Sequence, residues 1–370
     1  MYNESNQQPA TSNQQPATSN QQPATSNQRI EYIDLLKVFT IFCVLWGHAI
    51  QQLDNGLDWI HCTENPIFKL LYSFHMPLFY MLSGFFFKSS LKNNLKDFVF
   101  KKGIQLLLPW FIWCVLRGSL LLINTIIIKG NDVDLIQAFR IIFGGHFWFL
   151  RELFISYFIT YVGYKILKKG YLVAILAICF TLFAPLMSSQ SFYLPIFFVG
   201  IMLKEYYQFI RKHINIFLCV SAVIFILCLL FWKGIYYGLS PRIFSFRTFS
   251  FNFSNTPVAL YRLLTGISGS IFLFSVFART YKGNKDYSKL SSYGKYTLEI
   301  YILQVILIET MLTKMIDFPN INIWVYSLVI TPIIALMVFI LCVVIIKFIQ
   351  KCKYIDFILF GHKINSINKL

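Results

Sequence analysis

Long apolar stretches alternate with short polar segments along the chain from residue 29 onward. About ten of these stretches are roughly 17 to 25 residues long, enough for a helix to cross a hydrocarbon layer about 30 Å thick. They cover residues 32–51, 66–87, 103–128, 147–165, 171–187, 192–203, 214–232, 257–279, 295–313 and 322–347. The pattern predicts an all-α integral membrane protein, a bundle of about ten transmembrane helices.

Composition supports this class and divides the chain into three parts. Of the 370 residues, 56% are hydrophobic and 13% charged, whereas soluble domains carry about 25% charged residues. Residues 1–28 repeat the polar heptad SNQQPAT, which is typical of a disordered tail. Residues 29–350 form the predicted transmembrane domain, and residues 351–370 a basic cytoplasmic tail.

The net charge of +17 could suggest a nucleic-acid partner, so its distribution is decisive. With a cytoplasmic N-terminus, 23 lysines and arginines fall on the inner side of the predicted spans and nine on the outer side. This asymmetry is the positive-inside rule. It predicts that both termini are cytoplasmic, that the partner is the lipid bilayer of the plasma membrane, and that no nucleic acid is bound.

One face of the first span carries polar residues at both ends. Asp34, Lys37, Ile41, Val44 and His48 follow one another at steps of three and four. Lys37 and His48 therefore lie about 20° apart around the helix and about 16 Å apart along it. Asp34 and Lys37 could equally form an ion pair at the cytoplasmic boundary. We expect His48 to belong to a site, with snorkelling to the outer interface as its alternative.

A second histidine, His75, lies in the second span beside Pro77. A proline inside a helix leaves the carbonyl of Ser73 without its backbone donor, and a kink there would open space at His75. The topology places His75 and His48 in the same half of the membrane. We expect His75 to contribute to substrate binding.

Three further charges lie where a membrane disfavours them. Arg117 falls inside the third span, and Arg151 and Glu152 near the start of the fourth. Charges of both signs within spans indicate pairing or a water-filled cavity. A structural ion pair and a direct role in substrate binding both fit, and no metal site is predicted.

Several segments together resemble the membrane-bound acyltransferase 3 family, and within it the fucose 4-O-acetylase-like sugar O-acetyltransferases. They occur in the family's order over about residues 29 to 310 and read RIEYIDLLKVFTIFCVLWGH, FHMPLFYMLSGFFF, KKGIQLLLPW, HFWFLRELF, YLPIFFVGIML and SSYGKYTLEIYILQ. The resemblance implies about ten spans, a cytoplasmic acyl-CoA donor and a sugar hydroxyl as acceptor.

The resemblance also implies that His48, which ends the first motif, is essential. Three positions depart from the family's frequent residues: Lys37 and Gln105 stand where many members have arginine, and Gln304 where a histidine is frequent. These departures affect the expected donor-binding residues more than His48.

The resulting hypothesis is acetyl transfer from acetyl-CoA to a glycan. His48 would act as the base or as a transient acyl carrier. Glu152 would steady the imidazolium, and Arg117 or Arg151 would hold the acceptor or the developing oxyanion.

The donor's phosphates would meet a basic collar at the inner rim, formed by Lys37, Lys101 and Lys102. The topology rule alone would also place lysines there. A transporter or flippase using the same charged residues is the competing class, and a homo-oligomer is compatible with the sequence.

Overall fold

A computed structural model describes residues 30–53, 62, 64–130, 132–145, 147–175, 190–233, 244–245, 249–251, 253, 256–281, 285–316, 318 and 321–362. The predicted tail, the predicted fifth span in its larger part and most of the aromatic loop before residue 256 lie outside these ranges. Residues Glu31–Leu370 form one compact unit. The fold below is that of this unit.

Helices dominate the described part of the chain, as predicted. The α-helices are α1 (Glu31–Gln52), α2 (Pro66–Phe85), α3 (Leu95–Lys102), α4 (Leu108–Ile123), α5 (Leu135–Phe143), α6 (Trp148–Leu167), α7 (Gln190–Glu205), α8 (Tyr207–Lys212), α9 (Ile214–Leu230), α10 (Thr256–Thr280), α11 (Lys285–Ser291), α12 (Thr297–Ile306), α13 (Thr313–Met315), α14 (Ile323–Val325), α15 (Thr331–Ile349) and α16 (Lys353–Phe360). Among the described residues, the 3₁₀ segment Phe87–Lys92 extends α2, and the 3₁₀ segment Ser292–Tyr296 precedes α12.

In the described ranges, four π-helical segments join or extend these helices. They are Gly103–Leu107, Asn124–Ile128, Leu307–Leu312 and Tyr326–Ile330. The only strands among the described residues are β1 (Phe244–Ser245) and β2 (Ser250–Phe251), a two-residue antiparallel pairing.

Within the described part of the chain, six continuous helices are long and apolar enough to cross a membrane: Glu31–Gln52, Pro66–Lys92, Leu95–Ile128, Pro257–Thr280, Tyr287–Met315 and Ile323–Ile349. Each coincides with one of the ten predicted spans. The predicted fourth, sixth and seventh spans correspond to α6, α7 and α9, which are not among the six. The number ten and the cytoplasmic position of both termini therefore stay predictions.

Local sequence signals set where helices begin. The side chain of Asn65 accepts hydrogen bonds from the backbone N–H groups of Ile67 and Phe68, at 2.9 and 3.1 Å, and Pro66 occupies the first helical position. Both features stabilise a helix start because the first N–H groups lack partners within the helix. The second span consequently begins where the sequence predicted.

Helix α1 lies at the centre of the fold. It packs against α2, α10, α12 and α15, and twelve of its 22 residues are buried. Ile41 and Val44 of the predicted polar face are fully buried in this packing, whereas Lys37 and His48 keep part of their surface exposed. The indole of Trp46 donates to the carbonyl of Ser327 at 2.8 Å, which ties α1 to the segment before α15.

Helices α2 and α7 approach so closely that only glycine fits at two positions. A Cβ atom at Gly84 would overlap the carbonyl oxygen of Phe197, and one at Gly200 would overlap that of Met81. Small residues allow helix backbones to approach in membranes. Gly84 and Gly200 therefore allow α2 and α7 to pack closely.

The outer surface of the helices exposes large apolar side chains. Leu120 and Ile127 near the end of the third span are 63% and 74% exposed, and Met337 of α15 is 64% exposed. Extended apolar surface of this kind is unfavourable in water and is satisfied by lipid. It supports a multi-pass membrane protein.

The C-terminal helix α16 is fixed to the bundle by polar contacts. The indole of Trp113 in α4 donates to the carbonyl of Leu359 at 2.9 Å. The imidazole of His362 lies between two carboxylates, 2.6 Å from Glu299 and 2.8 Å from Asp356. Both carboxylates are buried, so His362 compensates two charges that would otherwise be unpaired in the interior.

Candidate active site

Two cavities lie along α1, one at each end of its polar face. The first, which we call the histidine cavity, has a volume of about 350 Å³. Its polar wall comes from α1, α2, α12 and the π segment Leu307–Leu312, and consists of His48, Gln51, His75, Tyr301, Gln304 and Glu309. His48 and His75, which the topology places in the same half of the membrane, thus line one cavity.

A carboxylate and a guanidinium stand behind His48. Its Nδ1 lies 3.4 Å from an Oε of Glu309, within ion-pair distance although the geometry is not that of a hydrogen bond. Glu309 in turn lies 3.9 Å from an Nη of Arg117, whose Nε donates to the hydroxyl of Thr310 at 3.1 Å. The carboxylate can orient the imidazole and stabilise its protonated form, while Arg117 balances the buried negative charge.

His75 is held in one tautomer by its own helix. The side chain is 2% exposed, and its Nδ1 lies 2.6 Å from the carbonyl oxygen of Leu71. A carbonyl only accepts, so Nδ1 carries the proton and Nε2 of the neutral ring retains its lone pair. The ring also packs edge-on against Tyr72, with centroids 4.7 Å apart.

Aromatic side chains also line the histidine cavity. Trp148 and Tyr193 stack with their ring centroids 5.5 Å apart, and Trp232 is a further lining residue. Arg262 also lines the cavity, with its guanidinium 4.8 Å from the ring centroid of Phe192. Flat aromatic surface combined with hydrogen-bonding groups suits a ligand with apolar faces and polar edges.

The second cavity, which we call the lysine cavity, has a volume of about 340 Å³ and is lined by Lys37, Lys102 and Lys295. Lys37 lies 3.0 Å from Asp34, so it forms the predicted ion pair and also lines the cavity. The ammonium of Lys102 donates to Gln105 at 3.0 Å and sits 4.1 Å from the ring centroid of Tyr157. Three ammonium groups make this cavity suitable for an anion.

The two cavities share part of their lining. Met76 and Tyr301 belong to both walls, and both side chains are more than nine-tenths buried. The two cavities therefore adjoin at these side chains.

Four predicted site residues line neither cavity: Arg117, which stands behind Glu309, and Lys101, Arg151 and Glu152. Lys101 donates to Asn93 at 2.6 Å and does not line the lysine cavity. Arg151 and Glu152 pair with each other, at 2.8 Å, and line neither cavity. The carboxylate expected beside His48 was Glu152, and the one that the structure places there is Glu309.

The local structure around Glu309 helps to explain why this carboxylate, and not Glu152, lies beside His48. Glu309 lies in the π segment Leu307–Leu312, which has a different rotation per residue from an α-helix. The pairing of Glu309 with His48, which lies 261 positions earlier in the chain, has no local signal in the sequence.

A family model described as an acyltransferase domain, acyltransferase 3, matches residues 30–347. The chain belongs to this acyltransferase family. The match includes every helix that lines the two cavities and confirms the resemblance carried by the sequence motifs. Membership of this family supports an acyltransferase, and together with the apolar helices it supports a multi-pass membrane protein.

Two curated relatives of this acyltransferase are nodulation proteins called NolL. That of Sinorhizobium fredii (strain NBRC 101917 / NGR234) is 25% identical over 211 residues, 54% of this chain and 56% of the relative. That of Mesorhizobium japonicum (strain LMG 29417 / CECT 9101 / MAFF 303099) is 34% identical over 134 residues, 35% of this chain and 34% of the relative. The chain thus spans about half or less of the length of these relatives. No solved structure matches it.

Lys295 and Gln304 are among the cavity residues that were not predicted as site residues. Lys295 was interpreted only as part of the positive-inside pattern, although it lines the lysine cavity. Gln304 was noted only as a departure from the family's frequent residue, although it lines the histidine cavity. A polar amide within an apolar span was the available signal for Gln304.

Proposed function

We propose that this acyltransferase moves an acetyl group from cytoplasmic acetyl-CoA to a hydroxyl group of a sugar, in a glycan at the cell surface or on a lipid carrier of the plasma membrane. The observation that carries the proposal is the position of His48. It lies beside Glu309 in a cavity that shares Met76 and Tyr301 with a second, lysine-lined cavity.

His48 acts as the general base. With Nδ1 beside Glu309, Nε2 is the ring nitrogen left to take the proton of the sugar hydroxyl. The sugar oxygen bonds to the thioester carbon, and the carbon–sulfur bond then breaks. The thiolate of CoA leaves and takes its proton from the imidazolium, which returns His48 to its neutral form. Glu309 favours the imidazolium during the step, as a carboxylate does behind a catalytic histidine.

The donor occupies the lysine cavity. Phosphate groups of CoA bind at Lys37, Lys102 and Lys295, while the pantetheine arm passes between Met76 and Tyr301. The arm has to span the distance between Lys37 and His48, which is about 16 Å along α1. Lys101 remains available only at the rim, because it does not line the cavity.

The acceptor occupies the histidine cavity. Its sugar ring lies against Trp148 and Tyr193, and its hydroxyl groups face His48 and His75. The lone pair on Nε2 of His75 can accept a hydrogen bond from a second hydroxyl. Arg117 acts through Glu309 rather than on the acceptor.

The test uses purified protein in detergent with radiolabelled acetyl-CoA and a panel of methyl glycosides that includes methyl fucoside. We expect acetylated glycoside and free CoA in equal amounts, and a loss of more than about 100-fold in His48→Ala, since a general base contributes about 10² to 10⁴ in rate. His213→Ala is the matched control, because this histidine follows α8 and lines neither cavity.

Two results distinguish the alternatives within the proposal. Label retained on wild-type protein without acceptor, and absent from His48→Ala, selects an acetyl-His48 intermediate over direct transfer. Undiminished glycoside acetylation by His48→Ala would contradict the proposal, as would wild-type protein that consumes no acetyl-CoA with any glycoside.

A further inference from the structure

Gln304 is a buried amide whose hydrogen-bonding groups are both unused within the described part of the chain. It lies on α12, is fully buried, and lines the histidine cavity. Neither its Nε2 nor its Oε1 has a hydrogen-bond partner among the described residues. A buried amide without partners is unfavourable in any protein, and more so where lipid surrounds the fold. The arrangement is explained if a ligand supplies the partners.

Two other amides among the described residues have partners inside the protein. The side chain of Asn65, 4% exposed, accepts from two backbone N–H groups and donates to the hydroxyl of Ser327 at 2.6 Å. Gln51, in the same cavity as Gln304, accepts from the hydroxyl of Tyr72 at 2.6 Å. Gln304 differs from these two amides, because neither of its polar atoms has a hydrogen-bond partner among the described residues.

We propose that Gln304 binds the acceptor through a hydroxyl group next to the one that is acylated. An amide offers a donor at Nε2 and an acceptor at Oε1. A hydroxyl both donates and accepts, so neighbouring hydroxyls satisfy both atoms, whereas the oxyanion of the reaction would satisfy Nε2 alone. The acceptor is thus a polyhydroxyl compound with a free hydroxyl beside the reacting one, and this inference rests on the proposed function.

An amide of the pantetheine arm offers the same pair of partners. The position of Gln304 favours the acceptor, because Gln304 lines the histidine cavity and not the lysine cavity. Kinetic constants for the two substrates separate these sources.

The first test measures stability without any substrate. Gln304→Leu replaces the unpartnered amide with an apolar group of similar size, so we expect its thermal midpoint in detergent to equal or exceed that of the wild type. Asn65→Leu is the matched control and should unfold at a lower temperature, because it removes partnered hydrogen bonds and a helix cap. A midpoint for Gln304→Leu as low as that of Asn65→Leu would mean that the fold itself uses the amide, and would overturn the proposal.

The second test measures transfer with methyl fucoside, or another methyl glycoside that the wild type acetylates, and its monodeoxy analogues. We expect Gln304→Leu to raise the KM for the glycoside about 10- to 100-fold and to leave the KM for acetyl-CoA unchanged. The wild type should prefer the parent glycoside over one monodeoxy analogue by a similar factor, and Gln304→Leu should lose that preference.

The outcomes are separable from those of the proposed function. A rise in the KM for acetyl-CoA alone assigns the amide to pantetheine and overturns the acceptor proposal. Equal preference for every deoxy analogue in wild type and variant also overturns it. A wild type that acetylates no glycoside refutes the proposed function and with it the acceptor assignment, while the stability test still reports whether the fold satisfies Gln304.

Discussion

The contact of His362 with two buried carboxylates gives a prediction that does not depend on the reaction. Nε2 of His362 lies 2.6 Å from Glu299, and Nδ1 lies 2.8 Å from Asp356. The perturbation is His362→Gln, which keeps a polar side chain but removes the positive charge. It leaves two carboxylates, 3% and 1% exposed, without their shared counter-charge.

The magnitude follows from the pKa of His362. Burial alone would lower this pKa, but the hydrogen bonds and charges of Glu299 and Asp356 outweigh burial and raise the pKa from 6.5 to about 9. Since a tenfold change in an equilibrium constant is 1.4 kcal/mol, the difference corresponds to about 3 kcal/mol. A third of the side chain is exposed to solvent, so screening reduces the expected contribution to about 2 kcal/mol.

The sign of the pH dependence is fixed by the direction of this pKa. A histidine whose pKa is higher in the folded state stabilises the fold fully below pH 6.5, and the contribution disappears as the pH rises through about 9. Wild type should therefore exceed His362→Gln in stability at pH 6 to 7, and the difference should vanish near pH 10.

The assay is thermal unfolding of detergent-solubilised protein across this pH range, with His213→Gln as the control for loss of an imidazole outside the contact. Equal midpoints for wild type and His362→Gln at pH 7 would refute the reasoning. So would a difference that stays constant from pH 6 to 10, because it would show that the charge of His362 contributes nothing.

Three further predictions concern the cavities and the helix packing. Glu309→Gln should lower kcat at least about 100-fold with little change in the KM for acetyl-CoA, whereas Glu152→Gln should lower kcat less. Initial rates measure both constants. A larger loss of kcat in Glu152→Gln than in Glu309→Gln would instead make Glu152 the partner of His48. Lys37→Gln should raise the KM for acetyl-CoA several-fold and weaken its dependence on salt; a KM as low as the wild type's at every salt concentration would remove Lys37 from the donor site. Gly84→Ala should destabilise the protein by about 1 to 3 kcal/mol, because the added methyl group overlaps the backbone of α7; an unchanged thermal midpoint would contradict this packing.

The sequence by itself determined the class of fold and one face of the site. Apolar stretches of membrane-spanning length predict helices because hydrocarbon leaves the backbone no other partner than itself. The spacing of Lys37 and His48 places both on one side of α1, since the geometry of a single helix depends only on local hydrogen bonds. The sequence motifs likewise predicted the acyltransferase family.

Only the tertiary structure decided which groups meet. Glu309 rather than Glu152 lies beside His48, Lys295 joins Lys37 at the second cavity, and Gln304 lies on the wall of the first. These contacts join residues more than 250 positions apart and depend on how several helix faces pack together. The π segment that carries Glu309 shifts the facing residues further. Periodicity within one helix carries no information about such contacts, because they result from the sum of many packing interactions between helices.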